Sequence, residues 1–259
     1  CFTSELGDQS CVTLGCGHTF HAWCVYQLFK HKWSTKRVSF GFLACPSCKT
    51  EITSINEAYL PLHSLLQRLL SLKTSLEARA IRLARHHNID LTRCADPTDP
   101  FYNRQKAYAL ERCAFYKCFR CKEYYFGGLV DCEQDMRAMD EAKDHEFVCN
   151  KCFLKSMETG VNHCQVHGDD YIIWKCCWCC NEALFTCNGG REQYCDYCHS
   201  SKKNKVDQCG GKKERCKLGM EHPPNGKGHL SKFPLGCSLC RSIGPVRKNG
   251  RVVTQSADT

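Results

Sequence analysis

The chain has 259 residues, 25 of them cysteine and 12 histidine, and a formal net charge of +9. No apolar run approaches the roughly 20 residues a membrane helix needs, and the basic residues cluster only at Lys202–Lys205 and Lys212–Lys217, so neither membrane nor nucleic acid is the expected partner. An odd cysteine number, with histidine mixed into closely spaced pairs, argues against a disulfide framework and for metal in a reducing compartment, cytoplasm or nucleus.

In chain order, residues 1–55 hold the pattern Cys16-x-His18-x2-His21-x2-Cys24-x20-Cys45-Pro46-x-Cys48. A two-residue gap lets both side chains of a tight knuckle point at one ion, about 2.3 Å from each sulfur in tetrahedral zinc. The pattern resembles the RING-H2 finger. That resemblance implies a crossed arrangement in which Cys16, His18, Cys45 and Cys48 hold one zinc, and Cys1, His21 and Cys24 hold another. It also calls for a cysteine three residues before Cys1, so the sequence is read as starting inside the first C-x-x-C, with that site one ligand short. Cys11 is an alternative ligand at unsuitable spacing. RING fingers bind ubiquitin-conjugating enzymes in a shallow apolar groove, for which Trp33, Phe42 and Pro46 are the candidates, with local packing as the competing role. Lys49 follows the last ligand where many RING ligases have arginine, and it lacks the planar fork of a guanidinium.

Residues 56–99 contain one cysteine, Cys94, and read as a helical linker. Leu62, Leu65, Leu66, Leu69, Leu70, Leu76, Ile81 and Leu83 recur at helical intervals, predicting an amphipathic helix from about Pro61 to His87 with a basic outer face. Asp96-Pro97-Thr98-Asp99-Pro100 marks a turn.

From 100 to 245 the cysteine pairs resume. Cys113 falls in Ala107-to-Tyr116, read as an apolar helical stretch, and is expected in the core. The ligand candidates are Cys118, Cys121, Cys149, Cys152, Cys164, His167, Cys176, Cys179, Cys180, Cys195, Cys198, Cys209, Cys216, His222, Cys237 and Cys240, enough for four tetrahedral zincs. Cys177 could exchange with Cys176, since Cys177/Cys180 is also C-x-x-C. Cys132 and Cys187 are left over, each readable as a spare ligand, a buried thiol or a nucleophile. Cys132 lies in a charged stretch with little apolar periodicity, between Asp131 and Glu133, which disfavour a thiolate. Cys187 precedes Asn188-Gly189-Gly190, where absent side chains allow close approach. Residues 246–259 read as a tail. The fold class is a small, irregular zinc-stabilised α+β protein: RING-H2 finger, linker helix, multi-zinc domain.

The stretches Tyr116-Lys117-Cys118, Tyr124-Tyr125-Phe126-Gly127-Gly128, Trp174-Lys175-Cys176 to Cys180, Tyr194-Cys195 to His199, and His222-Pro223-Pro224 resemble the tandem cysteine domain of the Pam/Highwire family, the RING-Cys-relay E3 ubiquitin ligases. The likeness runs over about 1–245. It implies that ubiquitin passes from a conjugating enzyme to Cys132, then to Cys187, then to a threonine or serine hydroxyl on a protein substrate. It further implies His199 as general base, supported by Glu146, with Tyr194 lining the acceptor pocket and six zincs in the complete module. Imidazole suits removal of an alcohol proton near neutral pH. Asn188 stands where the family has phenylalanine, so discrimination between threonine and serine is expected to be weak. Family members are usually very large, which implies that this sequence is a C-terminal piece. The rival reading is a RING scaffold, or a RING ligase that modifies lysine directly, with a binding-only second domain.

Overall fold

The computed structural model describes residues 9–33, 35–56, 60–130, 142–157, 164–200, 209–226, 228–242, 247–248 and 251–252. The chain divides into two compact units, Cys1–Ala114 and Phe115–Thr259.

In the first unit, strands β1 (Cys11–Thr13) and β2 (Thr19–His21) pair antiparallel, with Val12 opposite Phe20. Helix α1 (Ala22–His31) follows directly and turns Ala22, Val25 and Phe29 inward at three- and four-residue spacing. Helix α2 spans Leu60–His86 and buries Leu62, Leu66, Leu69, Leu76, Ala80, Leu83 and Ala84, an apolar stripe broken at Lys73, which pairs with Glu51 and Glu77. Its first turns complete the finger's core, where Leu62, Leu66 and Leu69 join Val12, Phe29, Leu43 and Ile52. Its last turns pack against α3 (Gln105–Arg112). The core is small, so single residues in it matter. Leu66→Ala should lower the stability of the metal-loaded unit by about 2–5 kcal/mol in urea unfolding.

Helix α3 ends at Arg112, and Cys113 opens strand β3 (Cys113–Lys117) instead of continuing the helix. The helical reading of this stretch is corrected by its aromatic residues: Phe115 and Tyr116 are both buried, an environment that favours a strand. Cys113 itself is buried, its Sγ directed at the Ala80 carbonyl at 3.9 Å.

The second unit consists of two-stranded sheets and short helices. Strand β3 pairs with β4 (Tyr124–Leu129). Helix α4 (Asn150–Lys155) precedes β5 (Ile172–Trp174). Strands β6 (Phe185–Cys187) and β7 (Glu192–Tyr194) form a hairpin, followed by α5 (Asp196–Ser200). Strand β8 (Pro234–Cys237) returns to pair with β5 and leads into α6 (Ser238–Ser242). Near the end, β9 (Arg247–Lys248) pairs with β10 (Arg251–Val252). No described sheet exceeds two strands, and two strands alone are marginal in water. Much of what the second unit buries is cysteine: Cys118, Cys149, Cys176, Cys179, Cys180, Cys195, Cys198, Cys216 and Cys237. The fold class is therefore the small, irregular α+β protein expected.

Candidate functional site

Among the described residues, five sets of four side chains bring their donor atoms within 4.8 Å of one another. One is Cys16, His18, Cys45 and Cys48. The others are Cys118, Cys121, Cys149 and Cys152; Cys164, His167, Cys237 and Cys240; Cys176, Cys179, Cys195 and Cys198; and Cys180, Cys209, Cys216 and His222. The neighbours Cys179 and Cys180 serve different quartets, a partition spacing left open. Cys177 joins neither. It is buried, its Sγ accepts the Gln193 N–H at 3.3 Å, and burial pushes its thiol up to about 11.

A repeated turn builds three of these sites. The N–H of the residue after the second ligand donates to the carbonyl of the first: Lys49 to Cys45 at 2.9 Å, Lys122 to Cys118 at 3.0 Å and Gly168 to Cys164 at 3.0 Å. That residue is left-handed each time, with φ of 62°, 63° and 75°. Gly168 adopts the conformation freely, whereas the two lysines hold it against about 1–2 kcal/mol.

The donor set fits zinc. Cys176 is drawn down to about 4, first by its hydrogen bond with Cys179, while burial pushes Cys198 up to about 12. Sulfurs packed this closely cannot all shed their protons unless a cation offsets the charge, and tetrahedral sets of thiolate and imidazole are what zinc takes. His222 is already aimed. Its Nδ1 donates to the Pro223 carbonyl at 2.7 Å, so Nε2 faces Cys216 at 3.1 Å, Cys180 at 3.4 Å and Cys209 at 3.7 Å. In the finger, His21 Nδ1 lies 4.0 Å from Cys24 Sγ. Cys1 lies outside the described residues. Cys11 sits opposite His21 on the ladder but joins no quartet among the described residues, its Sγ donating to the Gln9 carbonyl at 3.3 Å.

Cys187 belongs to no quartet. It ends β6, buried, and its register partner on β7 is Glu192; two residues back, Phe185 pairs with Tyr194. Side chains alternate along a strand, so Phe185, Cys187, Glu192 and Tyr194 share one face while Thr186 and Gln193 take the other, bonded to each other at 2.7 Å. His199, on α5, stacks on Phe185 with ring centroids 3.9 Å apart and planes at 9°, and meets Tyr194 edge-on at 6.1 Å. Neither ring nitrogen of His199 has a hydrogen-bond partner among the described residues. His199 is in no quartet either, which removes it as a ligand there. The Asn188-Gly189-Gly190 turn of the hairpin loop is left-handed, with φ of 51°, 65° and 85°, before Arg191 returns to right-handed backbone at −80°. Its carbonyls are each held: Asn188 by Arg191 Nε at 2.9 Å, Gly189 by the Tyr125 hydroxyl at 2.8 Å, Gly190 by Lys232 Nζ at 2.7 Å. Lys232 is buried between Trp174 and Phe153, and burial lowers its pKa to about 8. Glu146 binds Arg191 at 2.5 Å; among the described residues it does not bond His199. Cys132 lies outside the described residues.

No family model matches the chain. Over 93% of its length, however, it is 30% identical to the zebrafish (Danio rerio) E3 ubiquitin-protein ligase MYCBP2. It is likewise 30% identical, over 93%, to the Drosophila melanogaster E3 ubiquitin-protein ligase highwire. The chain belongs to the Pam/Highwire family. It spans 5% of the length of the first relative and 4% of the second.

In this family member the finger's apolar candidates are only partly gathered. Trp33 and Phe42 lie 6.2 Å apart, joined by Phe40, which is 6.3 Å from Trp33 and 6.2 Å from Phe42. Pro46 is exposed, and its carbonyl accepts from Lys49 Nζ at 2.9 Å. Phe40 was missed in the sequence. So were Phe185, Arg191 and Glu192, although Asn188-Gly189-Gly190 between two short alternating runs is a legible hairpin signal that would have put them beside Cys187.

Proposed function

We propose that this chain is the catalytic module of a RING-Cys-relay E3 ubiquitin transferase. Residues 1–55 recruit a ubiquitin-loaded conjugating enzyme in the cytoplasm or nucleus, 56–99 set the spacing, and 100–245 carry the relay. Zinc, held by the five quartets and by a sixth site with Cys1, His21 and Cys24, supplies structure and takes no part in the transfer.

One observation supports the relay most. Strand β4 leads towards Cys132 and lies against the Cys187 hairpin: a methyl group at Gly128 would sit 2.0 Å from the Thr186 carbonyl oxygen, and one at Gly127 would sit 3.0 Å from the Gly189 carbonyl carbon. From Val130, the last described residue of that segment, the chain has at most about 7 Å to reach Cys132. The order Cys132 then Cys187 needs such proximity. Each thiolate attacks the incoming thioester carbonyl carbon, the old C–S bond breaks, and the previous sulfur leaves as a thiolate. An alcohol then attacks the Cys187 thioester, its proton passing to His199, and an ester forms as Cys187 leaves. In this role Glu146 acts through Arg191 on the Asn188 carbonyl, holding the loop and not the base.

Supplied with equal small hydroxyl and amine acceptors, the module should form mainly ester-linked ubiquitin, seen by mass spectrometry and cleaved by hydroxylamine. A product wholly amide-linked to lysine would favour the scaffold or direct-transfer reading instead.

A further inference from the structure

The face that carries Cys187 holds an acid the relay does not use. Glu192 stands directly across the β6–β7 ladder from Cys187, so both side chains leave the hairpin on one side, with Cβ atoms about 5 Å apart as cross-strand partners have. Glu192 is partly buried. Its Oε2 accepts from the Asn188 amide nitrogen and from the Tyr194 hydroxyl, the latter at 2.8 Å. Its Oε1 has no hydrogen-bond or ion-pair partner among the described residues. The adjacent guanidinium, Arg191, is turned to Glu146. Two neutral donors therefore steady this carboxylate, and one oxygen stays open beside the thiol.

Such a group gains most from a cation, because a charge-assisted hydrogen bond is roughly twice as strong as a neutral one. The surroundings favour polarity as well. Asn188 and Tyr194 place polar groups around Glu192 on a face that also carries Phe185.

We propose that Glu192 is a specificity-determining residue that selects hydroxyl acceptors bearing a positive charge beside the hydroxyl, such as serine or threonine flanked by arginine. The inference rests on the relay reading above. In the transfer the acceptor oxygen attacks the thioester carbonyl carbon, the C–S bond breaks and the hydroxyl proton passes to His199. Glu192 forms no bond and takes no proton, and holds only the neighbouring cation.

The test is single-turnover discharge of ubiquitin-loaded module to end-blocked threonine peptides flanked by arginine, glutamine or glutamate. The arginine peptide should react about tenfold faster than the glutamine peptide, the scale of one partly exposed charge-assisted hydrogen bond, and the glutamate peptide slowest. The advantage should shrink in high salt. Glu192→Gln keeps the shape and the oxygen that Asn188 and Tyr194 bond, so it should load Cys187 normally while the arginine-to-glutamine ratio falls to near one. Equal rates for all three peptides with the loaded parent, or an undiminished ratio in Glu192→Gln, would overturn the proposal. Should that variant fail to fold, a salt-independent preference in the parent overturns it equally. If the parent never carries ubiquitin on Cys187, the relay reading fails and takes this inference with it, an outcome distinct from equal discharge by a loaded enzyme.

Discussion

Stripping the metal should unfold the chain. A structural zinc site supplies on the order of 10 kcal/mol of folding free energy, and a whole domain has only about 5–15 kcal/mol of net stability. Loss of a single quartet would thus match or exceed what holds its unit together, and no described sheet of more than two strands stands behind it. The pH dependence follows from the thiols. Burial pushes Cys180 and Cys198 up to about 12 each, so without a cation they keep their protons at neutral pH. Binding must displace those protons, so metal affinity rises with pH and is lost as pH falls. Circular dichroism should show the transition on chelation, and native mass spectrometry should count at least five zincs, one for each quartet. Three or fewer would contradict the quartets.

The second large effect concerns His199. An alcohol holds its proton far more tightly than a thiol, so ester formation needs a base, and positioned bases contribute about 10²- to 10⁴-fold. His199 lies on the Cys187 face, stacked on Phe185 with its ring nitrogens unbonded among the described residues. His199→Asn should therefore leave both thioesters forming and slow the ester step by about 10²- to 10⁴-fold in single-turnover discharge to threonine. Parental rates in that variant would remove the base from the mechanism.

The metal sites were the most legible part of the sequence because their chemistry is local. Two ligands three positions apart announce themselves, and the left-handed residue closing the knuckle, Gly168 or Lys122, sits next to them. Likeness to the RING-H2 finger paired Cys16 and His18 with Cys45 and Cys48, but which pairs come together beyond Cys118 was not legible, since Cys164 and His167 meet Cys237 and Cys240 only after β8 returns to β5. The long helix was equally clear, its apolar stripe repeating over Leu60–His86. Cys113 was misplaced because helical periodicity in Ala107-to-Tyr116 competes with aromatic strand preference, and burial decided for the strand. Around Cys187, likeness to the family named His199, Tyr194 and Asn188. Glu192 came only from register, because a short hairpin decides its face by pairing and not by composition.

The relay itself stands or falls on where ubiquitin is held. Ubiquitin loaded from a conjugating enzyme should be found by mass spectrometry as a reducible thioester on the module. In Cys187→Ser it should remain on Cys132, and in Cys132→Ser no loading should occur, with zinc content unchanged in both. A Cys132→Ser protein that still loads Cys187, or that loses zinc, would contradict the account.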